Sequence, residues 1–158
     1  EDVGQRLPCL VVHPGIVGDR GPSALDWAIL GGEREWGVTL LQANAEMDAG
    51  DIWASATFPL RPAPKSSVYR GEVTDAATRC VLEALGRIGD PSFRPRPLDP
   101  ADPAVRGRLR PPARQADRAI DWDSRPTHEI LARLHSADGP PRGPDGGAAA
   151  AGNGARDP

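Results

Sequence analysis

The sequence predicts an α/β fold, because three short β-rich segments and one long amphipathic helix alternate with loops rich in glycine and proline. The 158 residues would suit one ordinary domain. However, 18 glycines, 18 prolines and an aromatic content of 4% are typical of a chain with low-complexity stretches. We therefore expect the folded part to be shorter than the chain.

The first predicted strand spans residues 7–12 and ends at His13. Its apolar, β-rich run is typical of a strand buried on both faces of a parallel sheet. A loop rich in glycine and proline follows. Ser23 and Asp26 then have the spacing of a capping box, which predicts the start of a short helix that a pair of glycines ends.

Two further strands are predicted over residues 36–42 and 52–60, with a polar turn over 44–50 between them. Residues 66–88 are predicted to form one amphipathic helix, because apolar side chains recur there at spacings of three and four. These are Val73, Ala77, Cys80, Val81, Ala84, Leu85 and Ile88. Three residues at its start are expected to cap and seat the helix: Ser66, Ser67 and Tyr69.

The net charge of −3 gives no general attraction to nucleic acid or to an anionic membrane, so neither is a predicted partner. Cys9 and Cys80 both lie among apolar residues without metal-ligand spacing, which indicates two reduced core thiols of a cytosolic protein. No apolar run is long enough to span a bilayer and no leader opens the chain, which predicts the cytoplasm.

A candidate site follows from the order of these elements. His13 follows the first strand, and the turn containing Asp48 lies between the other two. In an open α/β sheet, ligands bind at the carboxyl ends of the strands. The sequence therefore predicts that a histidine and a carboxylate share one site.

These residues also carry a family resemblance. The chain resembles the folate-dependent formyltransferases in His13-Pro14-Gly15, Arg20-Gly21-Pro22, Ala28-Ile29, Gly37-Val38-Thr39 and Met47-Asp48-Ala49-Gly50-Asp51. Within that family, the runs 13–23, 41–54, 65–70 and 115–122 look most like hydrogenase-maturation factors of the HypX (HoxX) type. The resemblance covers residues 7–139.

The resemblance implies a partial Rossmann-like formyltransferase sheet, followed by a Pro-rich connector and the start of a small C-terminal subdomain. The implied division is residues 1–90 for the C-terminal half of the catalytic domain, 91–113 for the connector, 114–137 for the start of the subdomain and 138–158 for a disordered Gly/Ala/Pro tail.

The resemblance further implies that such domains bind 10-formyltetrahydrofolate and that the catalytic pair falls on His13 and Asp48. His13 would donate to the oxyanion of a tetrahedral intermediate, while Asp48 would orient it and help to move the proton of the incoming nucleophile. Further residues are candidates for substrate binding: Gly15, Asp19, Arg20, Gln42, Asn44, Gly50 and Asp51.

Simpler structural roles compete with several of these assignments. Asp19 and Arg20 could form a surface ion pair with each other. Asp51 could shape the loop, and Gln42 and Asn44 could be ordinary strand and turn residues. No metal site is predicted, because the two histidines of the last helical segment, at 128 and 135, have no carboxylate at ligand spacing.

The formyl acceptor is the least defined part of the resemblance. The wider family has an asparagine at the position of Val11, and valine cannot donate to an oxyanion. This favours the HypX-type reaction, in which formyl passes to coenzyme A and a separate crotonase-like domain releases carbon monoxide for the iron of [NiFe] hydrogenase. The alternative acceptor is an amine, such as methionyl-tRNA or an amino-sugar.

The chain carries neither the family's first βαβ half nor a crotonase-like segment. We therefore expect a fragment of the parent enzyme, with a tail that a frameshift would explain. A catalytically inactive remnant or a protein-interaction piece is the third alternative.

Overall fold

The structure, a computed structural model, describes residues 8–137. Three strands form one sheet in the order β1-β2-β3: β1 (Leu10–His13), β2 (Glu35–Gln42) and β3 (Ile52–Pro59). Four helices accompany it: α1 (Ala24–Leu30), α2 (Lys65–Val68), α3 (Thr74–Ile88) and α4 (Thr127–Ala137). A π-helical turn, Tyr69–Val73, joins α2 to α3, and a 3₁₀ turn, Gln115–Arg118, precedes α4. The predicted disordered tail lies outside the described residues.

The prediction of a parallel sheet is wrong, because both strand pairs are antiparallel. The short turn between β2 and β3 has no room for the crossover of a dozen or more residues that a parallel pair needs. The expectation that β1 is buried on both faces is also wrong, since Val11 is 43% and Val12 42% exposed. Apolar composition indicates a strand but not the direction of its neighbour.

The long helix predicted over residues 66–88 is confirmed, since α2, the π-helical turn and α3 follow one another without a break from Lys65 to Ile88. α3 packs on β2 and β3 through small buried side chains, Ala76, Cys80 and Ala84. Trp36 and Leu40 of β2 are among the largest fully buried side chains of the core. This core holds the strand ends on which the candidate site is built.

The predicted helix caps are not formed. Ser23 precedes α1, but its hydroxyl accepts a hydrogen bond from the Ala113 N–H at 3.0 Å, and Asp26 binds Lys65 and Arg118. Both side chains therefore bind groups that are distant in sequence, and the capping box within the helix does not form. At the start of α2, Pro64 is the N-cap and no side-chain cap is formed there either.

The segment 89–113 contains no regular helix or strand and lies against the folded part of the chain. Its backbone bridges to β3 at Arg96 and to the loop after β1 at Leu109. The Gly107 N–H donates to the Val17 carbonyl at 3.2 Å, and Trp27 donates to the Pro111 carbonyl at 2.7 Å. The second half of the segment is thereby held beside α1 and the loop that follows His13.

Cys80 is buried, as predicted, but Cys9 is exposed, so the expectation of two core thiols is wrong for Cys9. Cys9 lies just before β1, the strand at one edge of the sheet, where no neighbouring strand covers it within residues 8–137. No helix in the described part of the chain is long and apolar enough to cross a membrane.

Candidate functional site

The centre of the site is His13, the last residue of β1, which pairs with Thr39 of β2. The imidazole is buried and lies between two carboxylates. Its Nε2 is 3.2 Å from an Asp19 oxygen, and its Nδ1 is 3.4 Å from an Asp48 oxygen. A neutral imidazole has one N–H and can donate to only one of these carboxylates, whereas an imidazolium can donate to both.

Asp48 belongs to the turn between β2 and β3 and has a φ of 53°, the left-handed conformation that asparagine and aspartate adopt more readily than most residues. The same carboxylate oxygen that faces His13 accepts a hydrogen bond from the Gly21 N–H at 3.0 Å. The Asp48 side chain is 13% exposed, so it is the carboxylate of the pair that solvent can reach. His13 and Asp48 therefore lie next to each other, and their role in catalysis stays a prediction.

Asp19 approaches His13 from the interior, and its side chain is fully buried. The guanidinium Nε of Arg110, in the segment after α3, lies 3.5 Å from the other Asp19 oxygen. The proposed surface pair between Asp19 and Arg20 is wrong, because Arg20 instead pairs with Glu46. Two carboxylates therefore flank the imidazole, and the Arg110 guanidinium lies on the far side of one of them.

Two glycines of the predicted site are required by close packing. A Cβ on Gly15 would lie 2.4 Å from the His13 Nε2 and 2.9 Å from an Asp19 oxygen. A Cβ on Gly50 would lie 1.7 Å from the Gln42 carbonyl oxygen. Gly15 therefore permits the contact between His13 and Asp19, and Gly50 lets the turn that carries Asp48 close onto β2.

A shallow cleft opens beside Asp48. It is lined by Val11, Leu41, Gln42, Ala43, Asn44, Glu46, Met47 and Asp48. The side-chain oxygens of Gln42 and Asn44 are already engaged, since Gln42 accepts from the Trp53 indole at 3.3 Å and Asn44 accepts from the Glu46 N–H at 3.0 Å. Asp51 is exposed and does not line the cleft.

Sequence reasoning missed Arg110 and Gly107, because an arginine and a glycine in a Pro-rich segment suggest a solvated connector. A Cβ on Gly107 would lie 1.8 Å from the Asp19 backbone nitrogen, so this glycine is required for the segment to pack here. No pattern in the sequence indicates that Gly107 and Arg110 pack against Asp19. Among residues 8–137, no group of three or more His, Cys, Asp or Glu side chains could hold a metal ion.

Comparison with known proteins places this geometry in a family. A profile described as formyl transferase matches residues 4–85, just over half of the chain. The chain belongs to the formyl transferase family. The predicted resemblance to this family and its fold is confirmed.

The chain is also highly similar to hydrogenase-maturation factors. The chain is 52% identical over 141 residues to the hydrogenase maturation factor HoxX of Bradyrhizobium diazoefficiens, which covers 89% of this chain and 25% of HoxX. It superposes on HypX from Aquifex aeolicus, crystallised with tetrahydrofolic acid, with a TM-score of 0.79 and 45% identity over 88% of this chain and 24% of HypX. The chain thus spans about a quarter of the length of these two relatives.

More distant relatives share the fold. Methionyl-tRNA formyltransferase of Lactobacillus delbrueckii is 34% identical over 97 residues, which cover 61% of this chain and 31% of that enzyme. The methionyl-tRNA formyltransferase structure from Clostridium thermocellum has a TM-score of 0.69 at 16% identity, covering 87% of this chain and 56% of that chain. At that identity the likeness concerns the fold alone.

Proposed function

We propose that the chain is the part of a hydrogenase-maturation factor that takes the formyl group from 10-formyltetrahydrofolate. The observation that carries the proposal is the buried His13 held between two carboxylates, with His13 and Asp48 in the motifs that resemble those of the formyltransferases. The similarity to HoxX supports the hydrogenase-maturation role, and the tetrahydrofolic acid in the HypX crystal structure supports a folate as the formyl donor.

In the proposed reaction, the formyl carbon forms a bond to the acceptor and its bond to N10 of the folate breaks. The proton lost by the acceptor ends on N10, so that atoms and charge balance. His13 and Asp48 are proposed to carry this proton, and a protonated His13 would donate to the oxyanion of the tetrahedral intermediate. The burial of His13 supports this role, because a hydrogen bond is stronger where water is excluded.

The cleft beside Asp48 is the proposed entry for the folate. The side-chain oxygens of Gln42 and Asn44 accept hydrogen bonds from Trp53 and Glu46 respectively, so these two residues would contact the ligand through their amide NH2 groups. Arg20 and Glu46 pair at the rim of this region. Gly15 and Gly50 are proposed to act through packing, since neither has a side chain to offer the ligand.

We propose coenzyme A as the formyl acceptor, towards carbon monoxide for the iron of [NiFe] hydrogenase. Val11, which lines the cleft, supports this choice over an amine, because by resemblance the wider family, which includes the amine-formylating enzymes, has an asparagine at this position. The hydrogenase-maturation machinery is the proposed partner. The division of the chain at residues 90, 113 and 137 and a cytoplasmic location also remain proposals, the latter supported by two free cysteines.

The acceptor can be tested with [¹³C]formyl-tetrahydrofolate and the natural gene product, including any sequence that flanks these residues. Coenzyme A, methionyl-tRNA and an amino-sugar nucleotide are offered separately, and the labelled products are followed by NMR. Formyl transfer to coenzyme A alone is the expected result. Transfer to an amine would contradict the proposed acceptor, and absence of transfer to all three acceptors would favour the inactive alternative.

A further inference from the structure

We propose that Asp19 is a positioning residue that determines which ring nitrogen of His13 carries the proton, and that Arg110 modulates its effect. This inference rests on the proposed function of His13. It concerns a residue for which the sequence suggested contact with ligand. The fully buried Asp19 side chain, placed behind the imidazole, excludes that contact in the present arrangement.

The His13 ring lies between the buried carboxylate of Asp19 and the Asp48 carboxylate, which lines the cleft. Asp19 contacts Nε2 at 3.2 Å and is inaccessible, whereas Asp48 contacts Nδ1 at 3.4 Å and reaches the cleft. Asp48 shares its facing oxygen with the Gly21 N–H, but the Asp19 oxygen that faces Nε2 has no such second donor among the hydrogen bonds described for it. Asp19 is therefore the stronger acceptor for a single ring proton.

The two carboxylates determine which nitrogen of His13 can accept a proton. When the ring is neutral, Asp19 holds the proton on Nε2, and the lone pair of Nδ1 points towards Asp48 and the cleft. Nδ1 is then the atom that takes a proton from the acceptor, and Asp48 stabilises the imidazolium that forms. In serine proteases, a buried carboxylate fixes the tautomer of the catalytic histidine in the same way.

Arg110 adds a counter-charge on the far side of Asp19. Its Nε lies 3.5 Å from the Asp19 oxygen that does not face His13, and its side chain is 14% exposed. Both that oxygen and the Arg110 Nε lack a hydrogen bond of good geometry, so their interaction is mainly electrostatic. The guanidinium withdraws part of the attraction that Asp19 exerts on the Nε2 proton.

We therefore expect two variants to shift the ring proton of His13 in opposite directions. Asp19→Asn removes the charge that favours the Nε2–H tautomer and leaves Asp48 to favour Nδ1–H. Arg110→Met removes the competing cation and strengthens the attraction of Asp19. A merely structural role would make both variants disturb the ring in the same direction.

The test is the ¹⁵N spectrum of the His13 ring in the natural gene product, at a pH high enough for the ring to be neutral. Protonated and unprotonated ring nitrogens are well separated in such spectra, and a His13→Gln sample assigns the signals. We expect Nε2–H in the wild type and a shift of about tenfold towards Nδ1–H in Asp19→Asn, because a charge-assisted hydrogen bond becomes a neutral one. Arg110→Met should keep at least the wild-type fraction of Nε2–H.

Formyl transfer gives the second readout. Asp19→Asn should lower kcat by about 10²-fold, the low end for a misplaced acid-base group, while KM for the folate changes by less than about threefold. Asp75→Asn, an exposed aspartate on α3, is the matched control and should match the wild type in both readouts. If Asp19→Asn does not fold, Gly15→Ala replaces it, because its Cβ would press on the same contact while leaving the charge in place.

The proposal is overturned if Asp19→Asn leaves the tautomer unchanged, if both variants shift it towards Nδ1–H, or if Asp19→Asn raises KM with kcat unchanged. The last result would make Asp19 a ligand contact. The ¹⁵N spectrum does not depend on turnover, so a chain that shows the expected tautomers but no formyl transfer would refute the proposed function and leave the role of Asp19 intact.

Discussion

Asp26 offers a quantitative test of how α1 is held against α2 and against the 3₁₀ turn that precedes α4. Its carboxylate binds the Lys65 ammonium at 2.8 Å and also pairs with the Arg118 guanidinium. All three side chains are between 12% and 13% exposed. Asp26→Asn keeps the shape but leaves two nearly buried cations without their counter-charge. Removing one partner of a buried ion pair costs about 3–5 kcal/mol, and the residual exposure argues for about 3 kcal/mol here.

Hydrogen exchange measures this loss locally. A loss of about 3 kcal/mol corresponds to exchange on the order of 10²-fold faster for amides protected by local opening. We expect this in α1 and α4, which pack on each other, and little change in β2 and β3. The exposed control Asp75→Asn should change protection by less than about 0.5 kcal/mol. Acceleration of less than about fivefold in Asp26→Asn would refute the reasoning, because it would mean that water already screens the two cations.

Three further predictions concern packing and thiol chemistry. Gly50→Ala should displace the turn that carries Asp48 and lower formyl transfer at least about tenfold, because its Cβ would collide with a backbone oxygen; unchanged turnover would contradict this. Gly107→Ala should accelerate hydrogen exchange in residues 105–111 and around Asp19, whereas Gly86→Ala, with open space at its Cβ, should not. Burial, with a smaller contribution from Glu83, raises the pKa of the Cys80 thiol above its ordinary value of 9.0, so less of it is thiolate at any given pH. Timed alkylation at pH 8 should therefore label the exposed Cys9 first, with Cys80 reacting faster as the pH rises; equal rates at pH 8 would contradict it.

The elements of the fold could be predicted from the sequence because each has a local signal. Residues 66–88 repeat their apolar side chains with the period of a helix, and the two β-rich runs around the polar turn are strands within one or two residues of the predicted bounds. The direction of the strands could not be predicted in this way. An apolar run such as 36–42 is equally compatible with parallel and antiparallel neighbours. The short turn before β3 requires an antiparallel pair, but the connection from β1 to β2 contains α1 and is long enough for either direction.

The proximity of the two motif residues could be predicted from the sequence. The contacts that depend on long-range packing could not. His13 and Asp48 meet because each ends or follows a strand of the same sheet. Asp19 looked like a surface residue because Arg20 follows it, yet it is buried and faces His13. The position of Arg110 depends on how the irregular segment after α3 folds back onto the sheet and α1. That segment has no periodic sequence pattern from which its course could be predicted. Ser23 shows the same limit, since its hydroxyl bonds a residue far along the chain instead of its own helix.

We propose that His13 and Asp48 together carry the proton of a formyl transfer from 10-formyltetrahydrofolate. The most direct measurement is the rate of formyl transfer in Asp48→Asn, because asparagine also tolerates the left-handed backbone of this position and so removes the charge while keeping the turn. With the natural gene product and coenzyme A as acceptor, we predict a loss of about 10²- to 10³-fold in kcat with folate binding retained. Turnover equal to that of the wild type would contradict the claim.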